Sequence, residues 1–155
     1  MRIALALAAA ALAACSQVPK AEVDPDSGRV DVDVERPGQA EMWTASLTGV
    51  AGSGVTGTAG ARVTDDMTHG TVSITGAQTG AAHPWHIHEG RCGDSGPIVG
   101  PATAYPVLRV GGNGRASAEA HLPNVELNEA KSYYVNVHAS PANLGVIVSC
   151  GALDD

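Results

Sequence analysis

The stretch MWTASLTGVAGSGVTGTAGARVT, residues 42–64, decides the fold class. Apolar and polar residues alternate on both sides of a Gly-rich turn, which is the pattern of two short strands joined as a hairpin. Similar segments follow at residues 69–77, 81–89, 105–110, 115–122, 132–139 and 145–153. Eight short strands separated by Gly-rich turns predict an all-β domain, a Greek-key barrel or sandwich of about eight antiparallel strands, over residues 41–155.

The N-terminal residues have the composition of an export signal. Residues 1–14 hold one Arg and then an unbroken apolar run that is too short to span a bilayer. The run ends in LAAC, residues 12–15, which resembles the lipobox of bacterial lipoproteins. That resemblance implies a lipid anchor on Cys15 and a place in the cell envelope, facing the periplasm, and Ser16 implies the outer membrane.

Residues 15–40 are acidic and contain Pro, which predicts a tether between the anchor and the domain. Within it, RVDVDVE (residues 29–35) alternates strictly and also fits an edge strand laid on the domain. The formal net charge of −7 argues against nucleic acid or an anionic lipid surface as a partner. We therefore expect membrane contact only through the lipid anchor.

Beside Cys15 the chain has two cysteines, Cys92 and Cys150. An exported chain meets an oxidising compartment, which favours a disulfide between them. Two free thiols, or thiolates that bind copper, are the alternatives.

Three histidines are the candidate metal ligands. His86 and His88 are two residues apart in a predicted strand, so both side chains leave the same face. His138 ends the strand SYYVNVHA, on the face that Tyr134 and Asn136 share. If the two strands are neighbours, three imidazole nitrogens meet, and such a set suits copper or zinc, with copper favoured by the Irving–Williams order. The alternative is that the three histidines bind no metal and are polar groups at the rim of a barrel.

The other histidines are weaker candidates. His83 lies where its strand begins, next to Pro84. We interpret it as a surface residue or as one that supports the ligands, and it is also a candidate fourth donor. His69 and His121 are expected at the surface or the edge of the core. The sequence has no nucleophile elbow, phosphate-binding loop or catalytic carboxylate pair.

AAHPWHIHEGRC, VNVH and SCGAL, taken in this order, resemble segments of copper/zinc superoxide dismutases. The resemblance covers about residues 41–155. It implies a Greek-key β-barrel with one copper ion on His86, His88 and His138, a bond between Cys92 and Cys150, and superoxide as the substrate.

The chain also departs from the dismutase pattern. Ile98, in GPIVGP, stands where those enzymes place the histidine that bridges copper and zinc, and the zinc-binding loop is missing, so no zinc is expected. Ile147 stands where they place the arginine that guides superoxide, which leaves Arg91 as a candidate for that role. Dismutation is therefore expected at a reduced rate.

HIHEG with GPIVGP, followed by YYVNVHASPANLGVIVSCG, is similar to a second family, the CHRD domain. This resemblance implies the same kind of β-fold without catalysis. The alternative function is then a binding or carrier module for copper or haem, with a copper donor or acceptor as its partner.

Overall fold

The computed structural model describes residues 20–23, 30–33, 40–64 and 66–155. The chain divides into two units, Met1–Pro37 and Gly38–Asp155. In the first unit, strands β1 (Lys20–Val23) and β2 (Val30–Asp33) form an antiparallel two-stranded sheet. The strand that RVDVDVE predicts is therefore present, paired with β1. The predicted export signal and Cys15 lie outside the described residues, and the predicted tether lies largely outside them.

The second unit is built on one seven-stranded antiparallel sheet with the strand order β7-β10-β11-β3-β4-β5-β9. Its strands are β3 (Glu41–Gly49), β4 (Thr56–Thr64), β5 (Met67–Thr75), β7 (Trp85–Glu89), β9 (Ala116–Pro123), β10 (Tyr133–Ser140) and β11 (Asn143–Leu153). Strands β3, β4 and β5 follow one another as hairpins, whereas β9 returns beside β5 and β11 returns beside β3. Such returns are Greek-key connections.

The alternation in residues 42–64 sets which side chains form the core. Trp43, Ala45 and Leu47 of β3 are buried, and the residues between them are exposed. Strand β4 repeats the pattern with Ala59 and Ala61 facing inward. Since side chains alternate across a strand, one face of the sheet is apolar and the other meets solvent.

The sheet curls into a half-barrel, so that strand β7 packs across the core against β5. Gly70 of β5 allows this close approach. A Cβ atom at this position would lie 3.3 Å from Ile87 Cδ1 and 3.4 Å from Trp85 Cη2. The missing side chain leaves room for two large residues of β7.

Strands β7 and β10 differ from the rest because both of their faces are buried. Tyr133, Val135 and Val137 face the core. Tyr134, Asn136 and His138 occupy the other face, which they share as the sequence predicts. That second face carries the candidate ligands and lies at one end of the sheet.

Proline divides one predicted strand into two. Residues 81–89 form β6 (Ala82–His83) and β7, and the interruption falls at Pro84, which lacks the N–H needed for a continuous ladder. Strand β6 pairs with β8 (Leu108–Arg109) in a separate two-stranded sheet. In the described part of the chain, the helical structure is one 3₁₀ turn, Ala102–Ala104.

The all-β class is confirmed, and each predicted strand has a counterpart with shifted ends. Residues 105–110 contribute only the two residues of β8, and the last strand begins two residues before the predicted Gly145, at Asn143. The turn between the last two strands is correspondingly short, because Ser140 already pairs with Asn143. Among the described residues, no helix is both long and apolar enough to cross a membrane.

Candidate metal centre

His86, His88 and His138 are brought together by the pairing of β7 with β10. Tyr134 pairs with His88 and Asn136 with His86, so the third histidine follows two residues along the same face of β10. All three side chains are buried, with 7%, 8% and 5% of their surface exposed. We call these residues the three-histidine centre.

The ring nitrogens of the centre converge on one point. One ring nitrogen from each histidine lies within 4.8 Å of the other two. His86 Nδ1 and His138 Nε2 are 3.1 Å apart, within hydrogen-bond distance. Two nitrogens bound at about 2.0–2.1 Å to one ion lie roughly 2.8 to 3.6 Å apart for angles between about 90° and 120°. The observed spacing therefore fits two ligands of one ion.

Backbone carbonyls determine which ring nitrogens are free to bind. His88 Nδ1 lies 2.9 Å from the Gly96 oxygen, and His138 Nδ1 lies 2.7 Å from the Leu144 oxygen. A carbonyl oxygen only accepts, so both Nδ1 atoms carry the proton and both Nε2 atoms keep a lone pair. His88 Nε2 is buried without a hydrogen-bond partner. A buried lone pair without a partner is costly, and a metal ion would satisfy it.

The environment keeps the three rings neutral, which is the form that binds metal. Burial, aided by the neighbouring rings of His138 and His88, lowers the pKa of His86 to about 4. Burial also lowers the pKa of His88 and of His138, although the carbonyls of Gly96 and Leu144 oppose that shift. At neutral pH no proton has to leave a cationic ring before an ion enters.

Tyr134 fixes the ring of His88 and the loop that holds it. The two rings are stacked, with centroids 5.1 Å apart and 18° between their planes. The Tyr134 hydroxyl donates to the backbone oxygen of Asp94 at 2.8 Å and accepts from the Gly96 N–H at 3.2 Å. One side chain thus positions both the imidazole and the segment whose carbonyl orients it.

Gly96 is required at its place by close packing. A Cβ atom there would overlap the backbone oxygen of Glu89. The glycine allows residues 97–99 to run beside β7, where Glu89 N–H donates to the Pro97 oxygen and Val99 N–H donates to the Ile87 oxygen. The Gly96 carbonyl is thereby held against His88.

Tyr105 closes the other side of the centre. Its ring meets His86 edge to face, with centroids 5.2 Å apart, and its hydroxyl donates to the Val99 oxygen at 2.7 Å. Burial raises the pKa of Tyr105. The uncharged Tyr105 ring therefore packs against His86 and limits its movement.

The disulfide between Cys92 and Cys150 is present, as the sequence predicts. It ties the loop after β7 to strand β11 across 58 residues of sequence. The two sulfur atoms are consumed by this bond, so the alternative of copper-binding thiolates is wrong.

A cavity of about 810 Å³ lies beside His88 and His138. Ile98 and Ile147 both line it, at the two positions where the dismutase resemblance expects a bridging histidine and a guiding arginine. Among the described residues that line the cavity, Asp94 alone carries a formal charge at neutral pH. Arg91 is exposed and is not among the lining residues, so the candidate role in guiding superoxide has no support.

His83 is buried, and its interpretation as a surface residue is wrong. Its Nδ1 lies 2.9 Å from the backbone oxygen of His138, to which it donates, and its Nε2 is buried without a partner. It is not among the three histidines whose nitrogens converge. Its observed contact supports the strand that carries His138.

The expectation for the two remaining histidines is confirmed. His69 is half-buried on β5 and His121 is exposed on β9. Their rings stack with centroids 4.4 Å apart. Neither residue belongs to the three-histidine centre.

Sequence reasoning missed the groups that orient the ligands. Two of them are the backbone carbonyls of Gly96 and Leu144, which carry no side-chain signal. The position of Tyr134 could have been found, because the two-residue period of the strand places it on the same face as His138. Its stacking partner could be known only from the register of β7 and β10.

Residues 39–147 match the CHRD domain. The matched segment covers more than half of the chain and includes all three histidines of the centre. No curated protein sequence matches the chain.

Proposed function

The chain belongs to the CHRD domain family, and we propose that it is a copper-binding module that holds one ion on His86, His88 and His138. The observation that carries the proposal is the convergence of three buried imidazoles, two of which, His88 and His138, have their protonation set by backbone carbonyls. The donors would be His88 Nε2, His138 Nε2 and His86 Nδ1. The proton that His86 Nδ1 donates to His138 Nε2 in the metal-free chain would have to move to His86 Nε2 when the ion binds. The bound ion would supply a redox-active or Lewis-acidic centre at the edge of the cavity.

The donor set favours copper. Calcium and magnesium require oxygen ligands, and three imidazoles offer none. Zinc accepts imidazole nitrogens, but the same site binds Cu²⁺ more tightly by the Irving–Williams order. Zinc is therefore the natural competitor in any binding experiment.

Storage or transfer of copper is favoured over superoxide dismutation. An anionic substrate is attracted by cationic groups near the metal, whereas the charged lining residue here is Asp94. Ile98 and Ile147 add apolar surface to the same cavity. A copper donor or acceptor is the partner that this arrangement suits.

Haem fits the centre less well than a single ion. Haem iron takes axial ligands along the normal of a large flat ring. Three imidazoles that converge within 4.8 Å on one side would crowd that ring. We therefore expect no specific Soret band on titration with haem.

The test is anaerobic titration of the metal-free protein with Cu⁺ and aerobic titration with Cu²⁺, each against a competing chelator. The wild type should bind one tight equivalent, and His88→Asn should bind it more than about 100-fold more weakly, because one of three ligands is lost. His121→Asn removes an exposed imidazole outside the centre and should leave the tight equivalent unchanged. Equal binding by His88→Asn and the wild type would exclude the proposed site.

A superoxide-consumption assay on the copper-loaded protein separates binding from catalysis. The binding module predicts a rate no greater than that of the same copper concentration held by a simple chelate. A rate well above that control, lost in His88→Asn, would establish dismutation instead.

We also propose that the protein works in the bacterial cell envelope, on a lipid anchor at Cys15. The Cys92–Cys150 bond supports an oxidising location. Fractionation of cells is the test. The wild type should sediment with membranes and Cys15→Ser should not, and equal sedimentation would contradict the anchor.

A further inference from the structure

A second group of metal-ligating side chains lies on the outward face of the sheet. His69 on β5 is directly opposite His121 on β9, and Glu119 is two residues before His121 on the same face. One ligand atom from each residue lies within 4.8 Å of the other two. We call these three residues the outer-face cluster.

We propose that the outer-face cluster binds a divalent transition-metal ion of the zinc class, separately from the three-histidine centre. Two imidazoles and one carboxylate form a set that binds zinc and leaves a fourth position for water or another ligand. This inference does not depend on the proposed copper site, because the two groups share no residue.

The contacts within the cluster bring its three side chains close together but do not yet aim their donor atoms at one point. His69 Nε2 lies 3.4 Å from Glu119 Oε2, and the two imidazoles stack with 16° between their planes. The nitrogen lone pairs of two stacked rings lie in nearly parallel planes and cannot meet at one ion. Metal binding therefore requires at least one ring to rotate. The second side-chain torsion of histidine is broad, and 65% of the Glu119 side chain is exposed. The rearrangement therefore needs no change in the backbone.

The surroundings make the outer-face cluster the weaker of the two groups. Arg62 on β4 is directly opposite His69, and its positive charge opposes a bound cation. His69 and Arg62 both line a groove of about 820 Å³ over the outward face, so the His69 side of the cluster is open to solvent. We therefore expect exchangeable binding that responds to the supply of metal.

A bound ion would join β5 to β9, the last strand at one end of the sheet. An edge strand exposes unpaired backbone groups and frays more readily than a central strand. A cross-strand metal link would hold this edge in register. Zinc is therefore expected to slow amide exchange in β9 more than in the central strand β3.

Calorimetric titration with Zn²⁺ alone, on the full metal-free chain, is the test. The wild type should show two binding events. His121→Asn and Glu119→Gln should each weaken the weaker event at least about tenfold and retain the tighter one. His88→Asn should weaken the tighter event and retain the weaker one. Glu129→Gln, which also removes one exposed carboxylate, is the matched control and should change neither event.

A measurement on the wild type avoids dependence on the variants. The ¹⁵N resonances of the His69 and His121 rings should shift during the weaker event. His69 and His121 rings that stay unshifted throughout the titration would overturn the proposal, whether or not the three-histidine centre binds zinc. So would a weaker event that survives in His121→Asn, or one that is unchanged in Glu119→Gln, because the carboxylate would then not be a ligand.

Discussion

Reduction of the Cys92–Cys150 bond is expected to lower the free energy of unfolding by about 4 kcal/mol. The bond joins residues separated by 58 positions. For a loop of this length, the chain-entropy relation gives a loss of roughly 14 cal/mol/K in the unfolded chain, which is about 4 kcal/mol at 25 °C. The effect acts on the unfolded state, so the folded domain should persist when the bond is broken.

The assay is urea unfolding of the metal-free Cys15→Ser protein, with and without a thiol reductant, followed by the fluorescence of its two tryptophans. The variant Cys92→Ala/Cys150→Ala is the control. It should resemble the reduced protein in stability, apart from the packing lost at buried Cys150, and it should not respond to reductant. A difference below about 1 kcal/mol in the free energy of unfolding between oxidised and reduced protein would refute the reasoning. Closing a loop of this length should remove more entropy from the unfolded chain than that.

The same reduction is expected to weaken copper binding at the three-histidine centre. Cys92 lies in the loop that also carries Gly96, and the Gly96 carbonyl accepts from His88 Nδ1. Loss of an interaction that orients a ligand typically costs ten- to a hundredfold in affinity. Unchanged affinity in the reduced protein would show that Tyr134 and the backbone hydrogen bonds of residues 97–99 hold the loop without the disulfide.

Three further predictions concern single positions. Lowering the pH should destabilise the metal-free protein, because the folded pKa of His86 is about 4, below its unfolded value of 6.5. The stabilisation from this neutral ring is complete above pH 6.5 and is lost as the pH falls towards 4, with about 2 kcal/mol lost by pH 5. Urea unfolding should show a smaller fall for His86→Asn, and an equal fall would contradict the assignment. Gly96→Ala should weaken copper binding about tenfold or more, because the carbonyl that orients His88 must move. Gly112→Ala, where a Cβ meets nothing within 4 Å, is its control in the same titration, and equal affinities would count against the role of Gly96. Gly70→Ala should cost about 1–3 kcal/mol in urea unfolding, because its Cβ would crowd two β7 side chains, and an unchanged midpoint would show that the core can adjust.

The strands could be predicted because alternation is a local property. Trp43, Ala45 and Leu47 mark an inward face whatever the rest of the chain does, and the observed burial follows them. The ends of strands were harder to predict, since pairing partners set them. Residues 105–110 form only a two-residue strand because, of these residues, Leu108 and Arg109 alone pair with β6.

The sequence could predict the ligands of the candidate site but not the groups that orient them. The two-residue period alone places His86 with His88 on one strand face, and His138 with Tyr134 on another. That the two strands are neighbours depends on a long-range pairing, which the dismutase and CHRD resemblances implied but alternation could not reveal. His83 was misjudged for the same reason, because its Nδ1 donates to a backbone oxygen of β10 that is 55 residues away.

The distance in sequence between the ligands also affects when the chain can acquire an ion. His86 and His138 are 52 residues apart and meet only when β7 pairs with β10. Contacts of such long range form late compared with local hairpins. An unfolded chain carries no preassembled three-nitrogen site, so metal affinity is gained together with the fold. The metals available at the time and place of folding therefore set which ions compete for the site.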